Sequence, residues 1–236
     1  MAEHNARDKV IELENSHGLR RNFVWADSGD APLAKALYWL NIIAEHTQKI
    51  ITGTTSEIIE AYEEWGWEVD NAVSRAMQLV KKQDDIDAIT KAIRSMYISW
   101  IDECARNLQK AIDNNPIRTV SSEYINGECM LFVDGLKYDM AKQVSDSLSA
   151  LGYDVINQSR LAELPSLTAT CKPALMPIAD ELIGLEFDNE DFCPVIKETN
   201  QKAVSQRLES LMKKKGWKVL KHGDYRRDTE DNAWLD

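Results

Sequence analysis

The chain has 236 residues, of which 44% are hydrophobic and 28% are charged, as in a globular protein with one large or two small domains. Its net charge of -11 excludes nucleic-acid binding through the overall electrostatic field. No apolar run reaches the roughly 18 residues that a membrane-spanning helix needs. Residues 1–13 are polar and acidic, unlike a secretory signal peptide.

The four cysteines lie far apart without a CxxC pair, so neither a zinc motif nor an oxidising compartment is predicted. We therefore expect a cytoplasmic protein with no membrane contact. The charge is uneven, because Lys213–Arg227 holds seven basic residues against one acid, Asp224. Lysines at the start of this run suit a helix C-terminus, where cations oppose the dipole. A strip that faces phosphate or nucleic acid is the alternative.

Residues 1–116 have the apolar spacing of helices and are predicted to form a helical region. Asp30 is the expected N-cap of one helix, and Pro32 suits its first turn. A loop at residues 53–56 precedes a second helix, and a third helix stops at Asn114-Asn115-Pro116. The tryptophans of this half are expected in the core or at a domain contact: Trp39, Trp65, Trp67 and Trp100.

The pattern changes after Pro116, and residues 117–236 are predicted to form an α/β domain. Cys129–Val133 is a continuous apolar run, as in a strand that is buried on both faces. An amphipathic helix follows, and Tyr153–Asn157 has the composition of a second strand. This order predicts parallel neighbours in one sheet with a right-handed crossover. The apolar face of the intervening helix comprises Met140, Val144, Leu148 and Leu151.

Three further elements are expected later in the chain. Pro173 is predicted to open a helix whose apolar face runs from Leu175 to Ile183. Another helix is marked by Val204, Leu208, Leu211 and Met212, and Trp217–Leu220 is predicted to be a further strand.

Asp134 stands directly after the predicted strand Cys129–Val133. Ligands of doubly wound sheets bind beyond the carboxyl ends of the strands. A carboxylate at this point can hold a divalent metal ion, and Gly135 lets the chain turn and a ligand approach closely. A simple Asp-Gly turn is the alternative.

Three hydroxyls, those of Ser166, Thr168 and Thr170, precede the helix predicted at Pro173. Helix N-termini favour anions because their free N–H groups point at the ligand. A hydroxyl beside a metal ion can lose its proton and attack phosphorus. N-capping is the structural alternative for such a run.

Two segments together resemble the PglZ domain. They are Phe132-Val133-Asp134-Gly135-Leu136-Lys137-Tyr138-Asp139 and Leu164-Pro165-Ser166-Leu167-Thr168-Ala169-Thr170-Cys171-Lys172-Pro173-Ala174-Leu175. The PglZ family belongs to the alkaline phosphatase superfamily and occurs in bacterial phage-defence systems of the BREX type. The resemblance spans roughly Cys129 to Gly184. It implies an alkaline-phosphatase-like parallel sheet of the α/β class, present here in part and preceded by the all-α region.

The resemblance also implies residue roles. Asp134 matches the first metal-ligating aspartate, and Thr168 matches the nucleophile, with Thr170 and Ser166 as alternatives. The implied cofactor is a divalent metal ion (Zn, Mn or Mg). The implied partners are other phage-defence proteins, with a phosphate ester or a nucleic acid as substrate. Lys137 is expected either to contact a phosphate or to be an exposed lysine in the first turn of a helix.

The chain departs from the superfamily in its later metal ligands. None of its four histidines (His4, His17, His46 and His222) stands in an Asp-His pair after a strand. We therefore expect an incomplete fragment of the hydrolase domain with an incomplete metal site, whereas the complete domain holds the divalent ion. Two functional hypotheses remain: a metal-dependent phosphatase or phosphodiesterase, and a non-catalytic interaction or scaffold module of the defence complex. A third hypothesis is structural, with Asp134 and Thr168 making only a turn and a cap.

Overall fold

The structure is a computed structural model and describes residues 2–114, 127, 129–184 and 192–219. The chain divides into two compact units. The first comprises Met1–Arg118 and Leu136–Ser159, and the second comprises Thr119–Gly135 and Arg160–Asp236. The predicted boundary near Pro116 lies outside the described residues.

The first unit is helical throughout its described secondary structure. Its α-helices are α1 (Ala2–His17), α2 (Val24–Asp27), α3 (Pro32–His46), α4 (Thr55–Ala61), α5 (Trp67–Gln78), α6 (Gln83–Asn114) and α7 (Tyr138–Ala150). A 3-10 helix (Gly18–Asn22) follows α1, and a π-helix (Tyr62–Gly66) joins α4 to α5. Helix α3 packs against α1, α5 and α6, so it lies at the centre of this unit.

The core of the first unit is built from apolar side chains of its helices, as the helical spacing of this half predicted. Ala36, Leu40 and Ile43 of α3 are buried, as are Ile89 and Trp100 of α6. The indole N–H of Trp100 donates to the carbonyl of Lys49 at 2.7 Å, which satisfies the polar atom that burial would otherwise leave unpaired. The core role predicted for this tryptophan is therefore confirmed.

The start of α3 differs from the prediction. Ala31 is the N-cap, and Pro32 occupies the first turn as expected. The Asp30 carboxylate instead accepts a hydrogen bond from the Ser28 hydroxyl at 2.6 Å. The prediction of Asp30 as the N-cap was therefore wrong. The helix begins at Pro32, so the N-cap position falls on Ala31, one residue after Asp30.

Helix α7 packs against α5 through its polar side. Gln143 donates to Asn71 at 3.0 Å, and the Ser74 hydroxyl donates to the buried Asp139 carboxylate at 3.4 Å. The predicted apolar face is confirmed as a stripe on one side of a helix, but it faces solvent. Met140, Val144 and Leu148 are each at least 38% exposed.

The second unit has one small sheet and two α-helices among its described residues. Its elements are α8 (Thr168–Ala174), a 3-10 helix (Ala179–Glu181), β1 (Leu182–Ile183), β2 (Val195–Ile196), β3 (Gln201–Lys202) and α9 (Ser205–Lys214). The strands pair in the order β1-β2-β3, and both pairings are antiparallel. The described core of this unit consists of Ile178, Ile196, Ala203, Leu208 and Met212.

The predicted alkaline-phosphatase-like parallel sheet is wrong for the described residues, which are mostly helical with the one antiparallel sheet. Neither Cys129–Val133 nor Tyr153–Asn157 forms a strand. Leu131 is 79% exposed and Ile156 is 87% exposed, so neither run is covered by a second layer. A continuous apolar run indicates a buried strand only where partners supply both the hydrogen bonds and the covering side chains.

The helix predicted to open at Pro173 also differs in position. Helix α8 begins at Thr168 and contains Pro173 in its last turn. Proline lacks the N–H that continues a helix and crowds the carbonyl four residues earlier, so the helix ends one residue later. Leu182 and Ile183, assigned to the apolar face of that helix, instead form β1.

The end of the described chain matches the prediction in part. Helix α9 is confirmed, with Leu208 and Met212 buried. Lys213 and Lys214 occupy its last turn, in agreement with a helix C-terminus. Residues 217–219 form no strand, and Leu220 with the rest of the basic run lies outside the described residues. Within the described ranges, no helix combines the length and apolar character of a membrane span.

Candidate metal centre

Asp134 lies in a turn of the second unit. Asp134 and Gly135 form this turn after the irregular segment 129–133, and Gly135 has a φ of +72°. This positive φ favours glycine because a Cβ would crowd the backbone there. The turn leaves the Asp134 carboxylate exposed, and two residues separate the turn from the start of α7.

Thr168 is the first residue of α8, and Leu167 is its N-cap. The Thr168 hydroxyl lies 3.3 Å from Oδ2 and 3.4 Å from Oδ1 of Asp134, and donates to this carboxylate. The two residues are separated by 34 positions in the sequence. The two side chains that the resemblance assigns to one metal site therefore lie close together, whereas their roles as ligand and nucleophile remain predictions.

The alternative nucleophiles are placed differently. The Thr170 hydroxyl donates to the carbonyl of Leu167 at 2.9 Å and also contacts the carbonyl of Pro165. The Thr170 hydroxyl is therefore hydrogen-bonded to backbone carbonyls at the start of α8 and not to Asp134. Ser166 is exposed, and no hydrogen bond joins it to Asp134 in the described part of the chain. The geometry favours Thr168 among the three hydroxyls.

A second contact joins the same two segments. The ammonium group of Lys172 lies 5.4 Å from the ring centroid of Phe132, a cation–π distance. Lys172 follows Thr168 by one helical turn, and Phe132 precedes Asp134 by two residues. Lys172 was not singled out by the sequence, although its spacing of four residues from Thr168 was a signal that both share a helix face.

Lys137 makes a structural contact in the first unit. Its ammonium group lies 3.5 Å from Oδ1 of Asp139, without the alignment of a hydrogen bond. The Asp139 side chain is fully buried, while that of Lys137 is 55% exposed. Lys137 thus balances a buried charge at the N-terminus of α7, in line with the structural alternative considered for it.

The Asp134–Thr168 pair fits two positions of a metal site but does not complete one. Two oxygens on one ion lie about 3 Å apart when each metal–oxygen distance is about 2.1 Å. The observed 3.3 Å is close to this value and long for an O–H···O bond, which is usually about 2.7–2.8 Å. Within residues that the structure describes, no group of three or more His, Cys, Asp or Glu side chains could hold a metal ion.

A cavity of about 350 Å³ in the second unit lies on another face of α8. Thr170, Pro173 and Ala174 line it from the helix, and Glu163 and Asp180 supply its acidic groups. At about 100° per residue, these helix positions point away from Thr168 and Lys172. The cavity is therefore separate from the Asp134–Thr168 pair.

Comparisons with protein-family models, with curated proteins and with solved structures found no match for this chain. The resemblance of the two segments to the PglZ domain remains a prediction.

Proposed function

We propose that this chain carries part of the active site of a metal-dependent phosphate-ester hydrolase, of the type that serves bacterial phage defence. The observation that supports this proposal is the 3.3 Å contact between Asp134 and Thr168. These residues lie in the two separate segments that resemble the PglZ domain. A turn and a helix cap have no need to meet, because a capping hydroxyl requires only a nearby backbone N–H.

In the proposed site, Asp134 binds the metal ion and Thr168 is the nucleophile. The ion would supply positive charge that favours loss of the hydroxyl proton and offsets the charge of the phosphoryl group. Asp134 fixes the Thr168 side chain by accepting its hydrogen bond. Both side chains are exposed, so a phosphate ester can reach them. A catalytic zinc ion takes about three protein ligands, so the remaining ligands must come from outside the described residues.

The proposal includes a cytoplasmic location. All four cysteines are free, including the exposed Cys129, which suits a reducing compartment. The proposed partners are other proteins of the same defence system, and the proposed substrate class is a phosphate ester.

Metal binding by the 236-residue chain tests the proposal. Titration with Mn²⁺, followed by electron paramagnetic resonance of the free ion, is expected to show one weak saturable site. Asp134→Asn should abolish this site because it removes the anionic ligand while keeping the side-chain shape. Thr168→Val should weaken the binding because it removes the second oxygen.

Asp154→Asn is the matched control, since Asp154 is an exposed aspartate of the first unit. It should bind Mn²⁺ like the unmodified chain. Equal Mn²⁺ binding by the unmodified chain and by Asp134→Asn would contradict the proposal, as would the absence of any binding.

Turnover is a second, separate measurement. With added zinc, manganese or magnesium, we expect the chain to hydrolyse little aryl phosphate or phosphodiester, because one carboxylate and one hydroxyl are too few ligands. Rapid metal-dependent turnover that is abolished by Thr168→Ala would support the hydrolase function. It would contradict the incompleteness of the site.

The alternative function is a non-catalytic interaction module of the defence complex. The exposed apolar stripe of α7 favours it, because large apolar side chains seldom share one solvent-facing side of a helix without a partner. A chain that binds no metal ion at Asp134 would favour this alternative over the hydrolase.

A further inference from the structure

We infer that Lys172 is a substrate-binding residue, which holds the phosphoryl group of the ester beside the Thr168 hydroxyl. This inference rests on the proposed function and adds a residue to which the family resemblance assigns no role. It starts from two contacts that join α8 to the segment 132–134: Lys172 with Phe132, and Thr168 with Asp134.

The first step is the placement of Lys172 on α8. Residues four apart on an α-helix differ by about 40° in direction and by about 6 Å along the axis. Thr168 and Lys172 therefore share one side of α8. Both contact the segment 132–134, so this side of the helix faces that segment.

The second step concerns the charge of Lys172. Within the described part of the chain, no carboxylate lies within ion-pair distance of its ammonium group. Other lysines of the second unit are paired: Lys213 with Glu209 at 2.9 Å and Lys215 with Glu181 at 2.5 Å. The face of an aromatic ring orients a cation without neutralising it. Lys172 thus retains a positive charge for an incoming anion.

The third step is the distance that a phosphoryl group must span. A nucleophilic oxygen stands about 3–3.5 Å from the phosphorus atom before attack. A charged donor stands about 2.8 Å from an outer phosphoryl oxygen. The nucleophile and the charged donor of one phosphoryl group therefore lie about 5–7 Å apart, a separation that two side chains rooted one helical turn apart on α8 can span.

The inference predicts binding of inorganic phosphate that depends on Lys172 and not on a metal ion. Amide NMR spectra of the full chain, titrated with inorganic phosphate at constant ionic strength, should show saturable shifts at residues 168–174. Lys172→Gln should weaken this binding about tenfold, the effect of losing one charge-assisted hydrogen bond. Lys172→Arg should restore most of it, because the charge and the ring contact are kept.

Lys218→Gln is the matched control. Lys218 is an exposed lysine of the same unit, in the described part of the basic run that could itself attract phosphate. The Lys218→Gln variant should bind phosphate with the same affinity as the unmodified chain. The thermal midpoint of Lys172→Gln should also stay close to the original, because the contact with Phe132 lies at a partly exposed position.

The inference is overturned if Lys172→Gln binds phosphate as tightly as the unmodified chain, or if no saturable shifts occur at residues 168–174. A loss seen only in Lys218→Gln would assign phosphate binding to the basic run. The proposed function has a separate test: it is contradicted if Asp134→Asn binds Mn²⁺ as well as the unmodified chain does. That variant should bind phosphate at least as well as the unmodified chain, since it removes a nearby negative charge.

Discussion

Asp70 shows how a buried charge is accommodated in the first unit. Its carboxylate accepts hydrogen bonds from the Tyr62 hydroxyl at 2.7 Å and from the Tyr97 hydroxyl at 2.5 Å. These bonds join the π-helix, α5 and α6. Burial raises the pKa of both tyrosines well above the ordinary value, and the neighbouring Asp70 charge raises it further. Both hydroxyls therefore remain protonated donors at neutral pH.

This cluster predicts a loss of stability at alkaline pH. The folded pKa of each tyrosine lies above its unfolded pKa of about 10, so the stabilisation is complete below about pH 10. Above that pH the unfolded chain ionises first, and the free energy of unfolding falls. The slope is at most about 1.4 kcal/mol per pH unit for each tyrosine, less the part screened by residual solvent exposure. Urea unfolding at about pH 9 and about pH 11 measures it.

Tyr97→Phe separates the contribution of one tyrosine. It should lower the free energy of unfolding at neutral pH by about 1.5–3 kcal/mol, because a charged acceptor loses a donor. It should also reduce the alkaline slope by about half. Tyr153→Phe, at an exposed position, should change neither quantity. An unchanged alkaline slope in Tyr97→Phe would contradict the protonated-donor role of this hydroxyl.

At the scale of single residues, the sequence located the Asp134–Thr168 pair but not the elements around it. The resemblance of two separate motifs to one family assigned both side chains to one metal site, and they lie 3.3 Å apart. Neither Lys172 nor the hydrogen bonds of Asp70 with Tyr62 and Tyr97 were predicted, for a physical reason. Their importance depends on which side chains face them across other elements, and spacing along one helix does not show this.

At the scale of elements, the long amphipathic helices were predictable and the short apolar runs were not. Helix α6 repeats its apolar positions over 32 residues, so local pattern and tertiary burial agree. Helix α4 had an overlooked signal, the capping box of Thr54 and Glu57, whose carboxylate accepts from the Thr54 N–H at 2.7 Å. The run Cys129–Val133 is only five residues long. Its pattern of apolar residues is too short to distinguish a buried strand from an exposed irregular segment.

Helix α7 provides a test of the corrected fold. Val144 is 50% exposed on the solvent-facing stripe, so Val144→Thr should change the free energy of unfolding by less than about 0.5 kcal/mol. A helix that packed this stripe on a sheet would lose about 1–3 kcal/mol, because the added hydroxyl would be buried without a partner. Chemical denaturation of the full chain measures the difference.

The same substitution at Val69 is the control for α7. Val69 lies on α5 and is fully buried, and Val69→Thr keeps the shape of the side chain while it buries a hydroxyl. It should therefore lower the free energy of unfolding by about 1–3 kcal/mol. Equal losses at Val144 and Val69 would show that the α7 stripe is covered in solution.

At the scale of the whole molecule, the sequence indicated that the apolar pattern changes after the helical half. It did not indicate to which of the two units each later segment belongs. The helix predicted to cross a sheet belongs to the first unit, because Leu136–Ser159 groups with Met1–Arg118. Its polar contacts to Asn71 and Ser74 of α5 explain this grouping. A prediction that assigns the apolar side of a helix to the core cannot anticipate packing through its polar side.

The two units should also differ in their resistance to a core cavity. Among the described residues, the core of the first unit has seventeen buried members, whereas that of the second has five, and no residue belongs to both. Removing three carbon atoms from a buried leucine costs about 2–5 kcal/mol, and a core of only a few side chains has little stability in reserve. Leu208→Ala should therefore open much of the second unit.

Hydrogen exchange of the full chain, measured by mass spectrometry, can locate this opening. In Leu208→Ala, amides of residues 176–183 and 195–212 should exchange faster, whereas those of α3 and α6 should keep their protection because their core is intact. Leu40→Ala, a cavity in the larger core, should give the reverse pattern with a smaller fractional loss of protection. Faster exchange of α6 in Leu208→Ala would show that the units unfold together, and that residues beyond these two cores couple them.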